Sequence, residues 1–370
     1  MGKAVKKKEE APVNIKSAVT QAVTGKFDKA SLEKFKKAKN LNNTAAFKKQ
    51  TWIPFSPALN KALGLPGVPE GQVTLLRGLS DTGKTTAMCE AATEAQKRGK
   101  LVVLIINEMK FSFDHLKKFG FETDEEVDEE TGEIIHTGFF IYADRLMLPT
   151  IETTGKFILD LIQEQEAGKL NYDLFICVDS FGSLPSDMSY STGKNDGRWN
   201  SMCMNLTFSS FINFKFPASR RLSSKFTNTM LAVNKQGIKL PATQMEKPKR
   251  TAKGGTSLYF DAGLVIDFGG VSDALTSKIE AEKNKNTVTF AKRTRVSIDK
   301  NHITNSHIAA KIIMTDYGFI EDTPSAINKY KEAHKHEWIS TLGTGEFNII
   351  QEEDKEEPEI VVYSDLVEED

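Results

Sequence analysis

One eight-residue segment, 78–85, constrains this chain more than any other part of its sequence. It reads GLSDTGKT and fits the pattern GxxxxGK(S/T) without departure. The apolar stretch Val73–Leu76 precedes it and the helix-forming stretch Lys84–Lys97 follows it. This strand–loop–helix order is typical of a phosphate-binding loop. In such a loop, backbone N–H groups surround the phosphates and help to position them.

The loop predicts ATP and Mg²⁺ as the cofactors of this chain. Lys84 supplies a cation to the β- and γ-phosphates, and the hydroxyl of Thr85 supplies a ligand to the metal. A chance glycine-containing loop is the alternative, and the flanking strand and helix argue against it. The residues expected to touch the nucleotide are Gly78, Ser80, Asp81, Thr82, Gly83, Lys84, Thr85 and Thr86.

Two acidic residues follow apolar stretches downstream of the loop. Asp179 comes directly after Leu174–Val178, and Glu108 lies two residues after Leu101–Ile106. At the carboxyl edge of a parallel sheet, Asp179 is expected beside the phosphate loop, where it holds Mg²⁺ through water. Glu108 is expected to polarise the attacking water, although a glutamate after a strand is by itself more often a solvated loop residue. We predict Glu108 and Lys84 as catalytic residues, and Thr85 and Asp179 as metal ligands.

Apolar and helical stretches alternate between about residues 52 and 320. Met230–Val233 and Leu264–Phe268 are two further candidates for buried strands, and residues 150–167 have the pattern of a helix. Short apolar strands separated by helices are typical of a parallel sheet that is covered on both faces. The chain is therefore predicted to have an α/β fold with a largely parallel sheet and helices on both faces.

Several segments together resemble the RecA-type recombinases, including phage-encoded members. They are the phosphate loop, Asn107-Glu108 after the next strand, and Val178-Asp179-Ser180. The lead-in to the loop, the pair Phe119-Gly120 and the stretch Met230–Asn234 are similar to the family's segments as well. The resemblance covers roughly residues 50–320, and it implies a RecA-like P-loop ATPase core for this region.

The same resemblance assigns further residues. The family usually has a glutamine directly after the asparagine of its sensor strand, but here Lys235 intervenes before Gln236. Gln236 is taken as the nucleotide contact, with Lys235 as the alternative residue that senses the γ-phosphate. Phe260 falls at the family's subunit interface. Lys300 and His302 stand where the family has two lysines that reach the ATP of the neighbouring subunit.

Residues 235–253 are rich in positive charge, with six basic residues, one acid and two prolines. A long segment with little to pack is usually functional inside a compact domain, and a positive loop neutralises DNA phosphates. Residues 186–199 form a second candidate loop, with aromatic residues for stacking on bases. Solvated surface loops are the alternative for both. The predicted DNA-binding residues are Lys194, Arg198, Trp199, Lys239, Lys247, Lys249, Arg250, Lys253 and, from the family resemblance, Gly254 and Gly255.

The ends of the chain carry opposite charge around a nearly neutral middle. Residues 1–50 hold thirteen lysines and four acids, and residues 351–370 hold ten acids and one lysine, whereas the whole chain has a net charge of −1. Such ends tune the electrostatics of nucleic-acid binding, or are simply flexible and solvated. We predict a basic N-terminal arm with an oligomerisation helix (1–50), the ATPase core (51–325), a small C-terminal helical segment (326–350) and an acidic tail (351–370).

Composition narrows the compartment in which the chain works. Its three cysteines, Cys89, Cys177 and Cys203, are widely spaced without a CxxC pair, which favours reduced thiols over a disulfide framework or a zinc site. The sequence has no run of eighteen apolar residues and no apolar signal stretch near its start, so no membrane partner is predicted. We expect a cytoplasmic protein, in the host cell cytoplasm if the chain is phage-encoded.

The resemblance to the RecA-type recombinases implies a DNA-dependent ATPase that forms helical homo-oligomers on single-stranded DNA, pairs it with homologous double-stranded DNA and exchanges strands. The expected partners are both forms of DNA, further copies of the chain, and single-strand-binding and mediator proteins. Two alternatives stay open. A hexameric replicative helicase motor has the same fold but forms closed rings. A DNA-coating scaffold protein keeps only residual nucleotide binding, and the intact residues Lys84, Thr85, Glu108 and Asp179 argue against it.

Overall fold

The computed structural model describes residues 47–108, 111–129, 132, 134–194, 197–239, 249–252, 257–269 and 276–351. Most of the predicted basic arm, its oligomerisation helix, nearly all of the acidic tail, and Lys247, Lys253, Gly254 and Gly255 lie outside these residues. The chain divides into two compact units. The smaller comprises residues 1–48 and 221–223, in which Phe47 and Arg221 form an antiparallel bridge. The larger comprises residues 49–220 and 224–370.

The larger unit contains sixteen strands and ten α-helices within the described residues. The strands are β1 (Trp52–Ile53), β2 (Val68–Pro69), β3 (Val73–Gly78), β4 (Leu101–Ile106), β5 (Asp124–Val127), β6 (Ile134–Thr137), β7 (Phe140–Asp144), β8 (Leu174–Asp179), β9 (Thr229–Lys239), β10 (Lys249–Ala252), β11 (Leu264–Phe268), β12 (Thr276–Lys283), β13 (Asn286–Asn301), β14 (Ala309–Thr315), β15 (Gly318–Ile320) and β16 (Asn348–Gln351).

The helices are α1 (Pro57–Leu63), α2 (Lys84–Lys97), α3 (Phe113–Lys117), α4 (Ile151–Glu166), α5 (Asp187–Thr192), α6 (Gly197–Met204), α7 (Lys215–Ser219), α8 (Ser257–Asp261), α9 (Pro324–His334) and α10 (Ile339–Leu342). Two 3-10 turns, Phe181–Ser183 and Lys335–Trp338, and a π-helix, Asn205–Ile212, complete the helical elements of the described chain. Within the described residues, no helix combines the length and the apolar character needed to cross a membrane.

A twelve-stranded sheet organises the larger unit. Its central strands run parallel in the order β7-β4-β8-β9-β3-β11. Antiparallel strands continue it from β11 through β13 and β14 to β15, while β12 pairs with β13 and β16, and β10 pairs with β9. The carboxyl ends of the parallel strands meet at one edge, which is where ligands bind in open α/β sheets.

Two hydrophobic clusters cover the two faces of the parallel strands. Because successive side chains of a strand point to opposite faces, Leu104 of β4 packs in the cluster that contains Met88 of α2, whereas Val103 packs in the cluster that contains Ile158 of α4. All four side chains are fully buried. The predicted α/β fold, with a largely parallel sheet covered by helices on both faces, is confirmed.

Helix α2, which follows the phosphate loop, carries a buried carboxylate that is hydrogen-bonded to the backbone of two other segments. Glu90 accepts hydrogen bonds from the backbone N–H groups of Ser56, at 2.9 Å, and Phe319, at 2.8 Å. Burial raises the pKa of Glu90 to about 7, and the two backbone hydrogen bonds offset only part of that rise. The position of α2 is therefore set by contacts with the start of α1 and with β15.

The C-terminal part of the described chain belongs to the antiparallel side of the sheet. Residues 324–342 are helical, and the segment then continues into β16, which pairs with β12. The prediction of a helical segment over 326–350 therefore missed a strand. Ile327 and Trp338 pack against Phe290 of β13 in a third hydrophobic cluster, and this shared apolar burial explains why the segment folds onto the sheet.

Both predicted DNA-binding loops contain regular structure, which corrects their description as loops. Strand β9 extends to Lys239, and β10 pairs with it antiparallel, so that Lys239 lies opposite Lys249 in a hairpin. Backbone hydrogen bonding gives regular structure to residues 236–239 and 249–252, whereas both prolines lie outside the described residues. Residues 186–199 begin with α5, whose first turn is capped by the hydroxyl of Ser186, and end in α6. Capping of this kind favours a helix over an open loop.

Candidate nucleotide-binding site

The phosphate loop connects β3 to α2 at the carboxyl edge of the sheet. Gly78 ends β3, and a Cβ at this position collides with the carbonyl oxygen of Phe268. Gly83 precedes α2 with a φ of 101°, and its Cβ would meet the ring of Phe319. Both positions therefore require glycine, because the backbone passes too close to its neighbours for any side chain. The two glycines of the motif are explained by packing as well as by phosphate binding.

Lys84 lies inside this loop. Its ammonium group donates to the carbonyl oxygen of Leu79, to which the hydroxyl of Thr82 also donates at 2.9 Å. Burial lowers the pKa of Lys84 to about 8, although the carboxylate of Asp179 favours its charged form. The loop thus encloses a cation at its centre, as binding of phosphate oxygens requires.

Thr85 and Asp179 meet at the end of β8. The Thr85 hydroxyl donates to the Asp179 carboxylate at 2.7 Å, and burial raises the pKa of Asp179 to about 6 despite that hydrogen bond. The end of the neighbouring strand β4 is held beside Asp179, because the backbone N–H of Asn107 donates to the carbonyl oxygen of Asp179 at 2.6 Å. A hydroxyl and a carboxylate in contact are oxygen ligands of the type that Mg²⁺ prefers, so these residues fit the metal.

Glu108 follows β4 and lies beside this pair. Its Oε1 atom accepts a hydrogen bond from the hydroxyl of Ser180 at 3.2 Å and forms an ion pair with the ammonium of Lys235 at 2.8 Å. Lys235 is the β9 residue directly opposite Gly78 in the parallel pairing of β9 with β3. Strand pairing therefore brings the phosphate loop, the lysine and the glutamate together.

The two residues named for γ-phosphate sensing lie differently with respect to the cavity. Lys235 lines the cavity in front of the phosphate loop, and Gln236 does not. Neighbouring side chains of a strand point to opposite faces, so the two residues cannot both face the nucleotide. Of the two residues named for this role, the structure thus places Lys235, and not Gln236, on the cavity.

The cavity has a volume of about 660 Å³, within the usual range for small-molecule sites. One wall consists of phosphate-loop residues 80–86 with Glu108, Asp179 and Lys235. A second wall comes from residues 289–292 of β13, residues 314–316 and the C-terminal segment. The sequence contained no signal for this second wall, because its residues lie more than two hundred positions from the phosphate loop. Its remaining members are Tyr330, Glu337 and Trp338.

The residues predicted to act on a neighbouring subunit do not line this cavity. Lys300 donates to the carbonyl oxygens of Tyr259, at 3.0 Å, and Phe260, at 2.6 Å. The side chain of Phe260 is 68% exposed, and His302 is exposed as well. The structure thus brings Phe260 and Lys300 together in an exposed patch of the chain, outside its own nucleotide cavity.

The predicted DNA-binding residues that are described also lie outside the cavity. Lys194 follows α5, and Arg198 and Trp199 belong to the first turn of α6, all three on the surface. The backbones of Lys239, Lys249 and Arg250 lie in the β9–β10 hairpin.

A phosphate loop at the carboxyl edge of this sheet, with a hydroxyl–carboxylate pair beside it, defines an α/β protein of the P-loop class with a RecA-like core. The family model of the RecA N-terminal domain matches residues 14–133. This segment is about a third of the chain. The match supports a RecA-type protein with a RecA-like core.

Relatives extend the similarity further along the chain. Protein RecA of Colwellia psychrerythraea is 26% identical over 290 residues, which cover 78% of this chain and 70% of that protein. Protein RecA of Nitratidesulfovibrio vulgaris is 24% identical over 258 residues, covering 68% and 60%, respectively. Protein RecA of Chlorobaculum tepidum is 42% identical over 65 residues, 18% of this chain and 19% of the relative. The chain is thus similar to RecA proteins over much of its length, at low identity.

Proposed function

We propose that this protein is an ATP-dependent DNA recombinase, which assembles into helical filaments on single-stranded DNA and catalyses homologous pairing and strand exchange. In this proposal Mg²⁺-ATP binds in the cavity of the phosphate loop, and DNA stimulates its hydrolysis. Similarity to RecA proteins over 290 residues supports the proposal, as does the arrangement of Lys84, Thr85, Glu108 and Asp179 in one site.

The observation that carries the proposal is the course of strand β9. It begins beside the strand of the phosphate loop, contacts Glu108 through Lys235, and continues into the hairpin with β10. That hairpin contains predicted DNA-binding residues Lys239, Lys249 and Arg250. A single strand therefore connects the candidate catalytic carboxylate to the candidate DNA-binding segment, as DNA-dependent ATP hydrolysis requires.

Each residue of the site has a defined role in this proposal. Lys84 binds the β- and γ-phosphates, and Thr85 and Asp179 hold Mg²⁺, which neutralises charge on the phosphates. Glu108 orients and polarises the attacking water. Lys235 senses the γ-phosphate, since a phosphate oxygen competes with the Glu108 carboxylate for the same ammonium group.

Assembly of the filament completes the proposal. The basic N-terminal arm docks on the adjacent protomer, and Lys300 and His302 approach the nucleotide of a neighbour. Phe260, exposed beside Lys300, lies in the contact between protomers. Base pairing, rather than contacts from the protein, recognises the homologous DNA.

Electron microscopy with single-stranded DNA and a non-hydrolysable ATP analogue tests the assembly, with Lys84→Ala as the control that lacks the phosphate-binding cation. Helical filaments that need both ligands support the recombinase, whereas closed rings indicate a hexameric helicase. ATP turnover with and without DNA, and strand exchange between homologous DNAs, test the activity. DNA coating without DNA-stimulated ATP turnover indicates a scaffold and overturns the proposal.

A further inference from the structure

Strand β13 supports the phosphate loop from the antiparallel part of the sheet. The hydroxyl of Thr294 donates to the carbonyl oxygen of Thr82 at 3.2 Å, and the ammonium of Lys292 forms an ion pair with the carboxylate of Asp81. Residues 292 and 294 share one face of the strand, because side chains alternate along it. Two neighbouring positions of the loop are thus held by alternate residues of β13.

Lys292 and Asp81 differ in how far their side chains are exposed to solvent. The Lys292 side chain is 29% exposed and the Asp81 side chain is 69% exposed, so the lysine is the more enclosed partner. Both residues line the same cavity as Lys84. Asp81 adopts a φ of 63°, a left-handed conformation that aspartate and asparagine tolerate better than most residues. The loop therefore presents an anion next to a cation in a site built for a polyanion.

We propose that Lys292 is a second phosphate-binding cation of the nucleotide site, and that Asp81 holds it until the phosphates of a nucleoside polyphosphate replace the carboxylate. This inference rests on the proposed binding of Mg²⁺-ATP. Three points support it: Lys292 lines the cavity, its ammonium has three hydrogen-bond donors, and its present partner is a mostly exposed carboxylate. Ion pairs with exposed partners are weak, so a multiply charged phosphate chain displaces Asp81 readily.

A purely supporting role makes a different prediction. If Lys292 served only to hold Asp81 in its left-handed conformation, removing either partner would disturb the loop to the same extent. If Lys292 binds phosphate, Asp81 is its competitor, and removal of the Asp81 charge assists the nucleotide. The substitution Asp81→Asn separates the two roles, because asparagine tolerates the same backbone conformation.

The experiment measures dissociation constants of MgADP and MgATP for the wild type, Lys292→Met, Asp81→Asn and the double variant. Lys329→Met, at an exposed position of α9 that does not line the cavity, is the matched control. We expect Lys292→Met to weaken binding about 10-fold, the scale of one charge-assisted hydrogen bond. Asp81→Asn should bind at least as tightly as the wild type, and the double variant as weakly as Lys292→Met. The loss should shrink as salt rises.

The proposal is overturned in favour of loop support if Lys292→Met and Asp81→Asn lose the same nucleotide affinity and the double variant loses no more. Wild-type affinity in Lys292→Met also overturns it. Thermal unfolding without nucleotide checks that every variant folds, and Lys292→Gln replaces the methionine variant if that one does not. A wild type that binds MgADP and MgATP no better than Lys84→Ala contradicts the proposed function itself.

Discussion

Glu108 shares one carboxylate oxygen between the hydroxyl of Ser180 and the ammonium of Lys235. An acceptor that is held by a cation is less available to polarise a water molecule. In the proposed mechanism, the γ-phosphate draws Lys235 away and leaves Glu108 to the attacking water. If this mechanism holds, the ion pair of 2.8 Å between the lysine and the glutamate links nucleotide binding to hydrolysis.

Glu108→Gln should retain MgATP binding and lose ATP turnover on the order of 10²-fold or more, the usual scale for a general acid or base. The amide keeps the shape of the side chain and removes the charge that polarises water. Steady-state turnover with single-stranded DNA, together with nucleotide affinity, measures both effects. Turnover within a few-fold of the wild type would leave Glu108 as an ordinary loop residue.

Nucleotide affinity should also depend on pH, through the protonation of two side chains in the site. Burial raises the pKa of Asp179 to about 6 and lowers the pKa of Lys84 to about 8. Binding of MgATP needs an ionised Asp179 and a charged Lys84. Affinity should therefore fall below pH 6, where Asp179 must first lose a proton, and above pH 8, where Lys84 must first gain one.

Calorimetric titration with MgATP between pH 5 and pH 9 measures this dependence. Lys84→Arg is the control, since the guanidinium stays charged and should remove the decline on the alkaline side. Affinity that stays constant over the whole range in the wild type contradicts the assignment of both groups.

At the scale of secondary-structure elements, β9 is the component that joins two candidate sites. Its first residues pair with β3 and β8 in the centre of the sheet, while its last residues pair with β10 at the carboxyl edge. Backbone pairing continues without a break from the β3 side of the strand, up to Lys235, to the β10 side, from Gln236 onward. The hairpin is therefore the element where DNA contact and ATP turnover should be coupled.

Neutralising Lys247, Lys249 and Arg250 together should weaken binding to single-stranded DNA and make it less sensitive to salt. Each lost phosphate contact should lower the slope of log affinity against log salt by about 0.7. Titration of a fluorescent oligonucleotide at several salt concentrations measures the slope. Neutralisation of Lys169, Lys285 and Lys329, which are exposed in other parts of the chain, controls for the change in net charge. Equal slopes in both triple variants would exclude the substituted segment as a DNA contact.

At the scale of the whole molecule, charge is segregated along the chain. The first fifty residues carry thirteen lysines, and the last twenty carry ten acids. If the protein binds DNA as proposed, the acidic end should compete with DNA phosphates for any basic surface that it reaches. Such competition is electrostatic and acts over about 8 Å at physiological salt.

Deletion of residues 351–370 should strengthen DNA binding, and the gain should be largest at low salt. The deleted segment has one lysine against ten acids, so its removal takes away a competitor of the DNA. Affinities of the full-length and truncated chains for one oligonucleotide, at two salt concentrations, measure the effect. Equal affinities at low salt would show that the tail does not compete with DNA.

The sequence by itself determined the parts of this protein that depend on short stretches of the chain. The motif at 78–85 and the apolar stretches before Glu108 and Asp179 were sufficient to predict a P-loop α/β fold and the strands that carry these residues. Such predictions succeed because a buried parallel strand needs a continuous apolar run, and a phosphate loop needs glycine at defined positions.

Tertiary structure decided which distant residues complete the site. Lys235 reaches Glu108 only because β9 lies next to β8, which in turn pairs with β4, and Lys292 reaches Asp81 only because β13 folds back along β11. Strand order and register depend on packing between residues far apart in the chain, and no local pattern encodes them. The same packing places the C-terminal segment on the cavity, since its apolar side chains are buried only against the antiparallel strands.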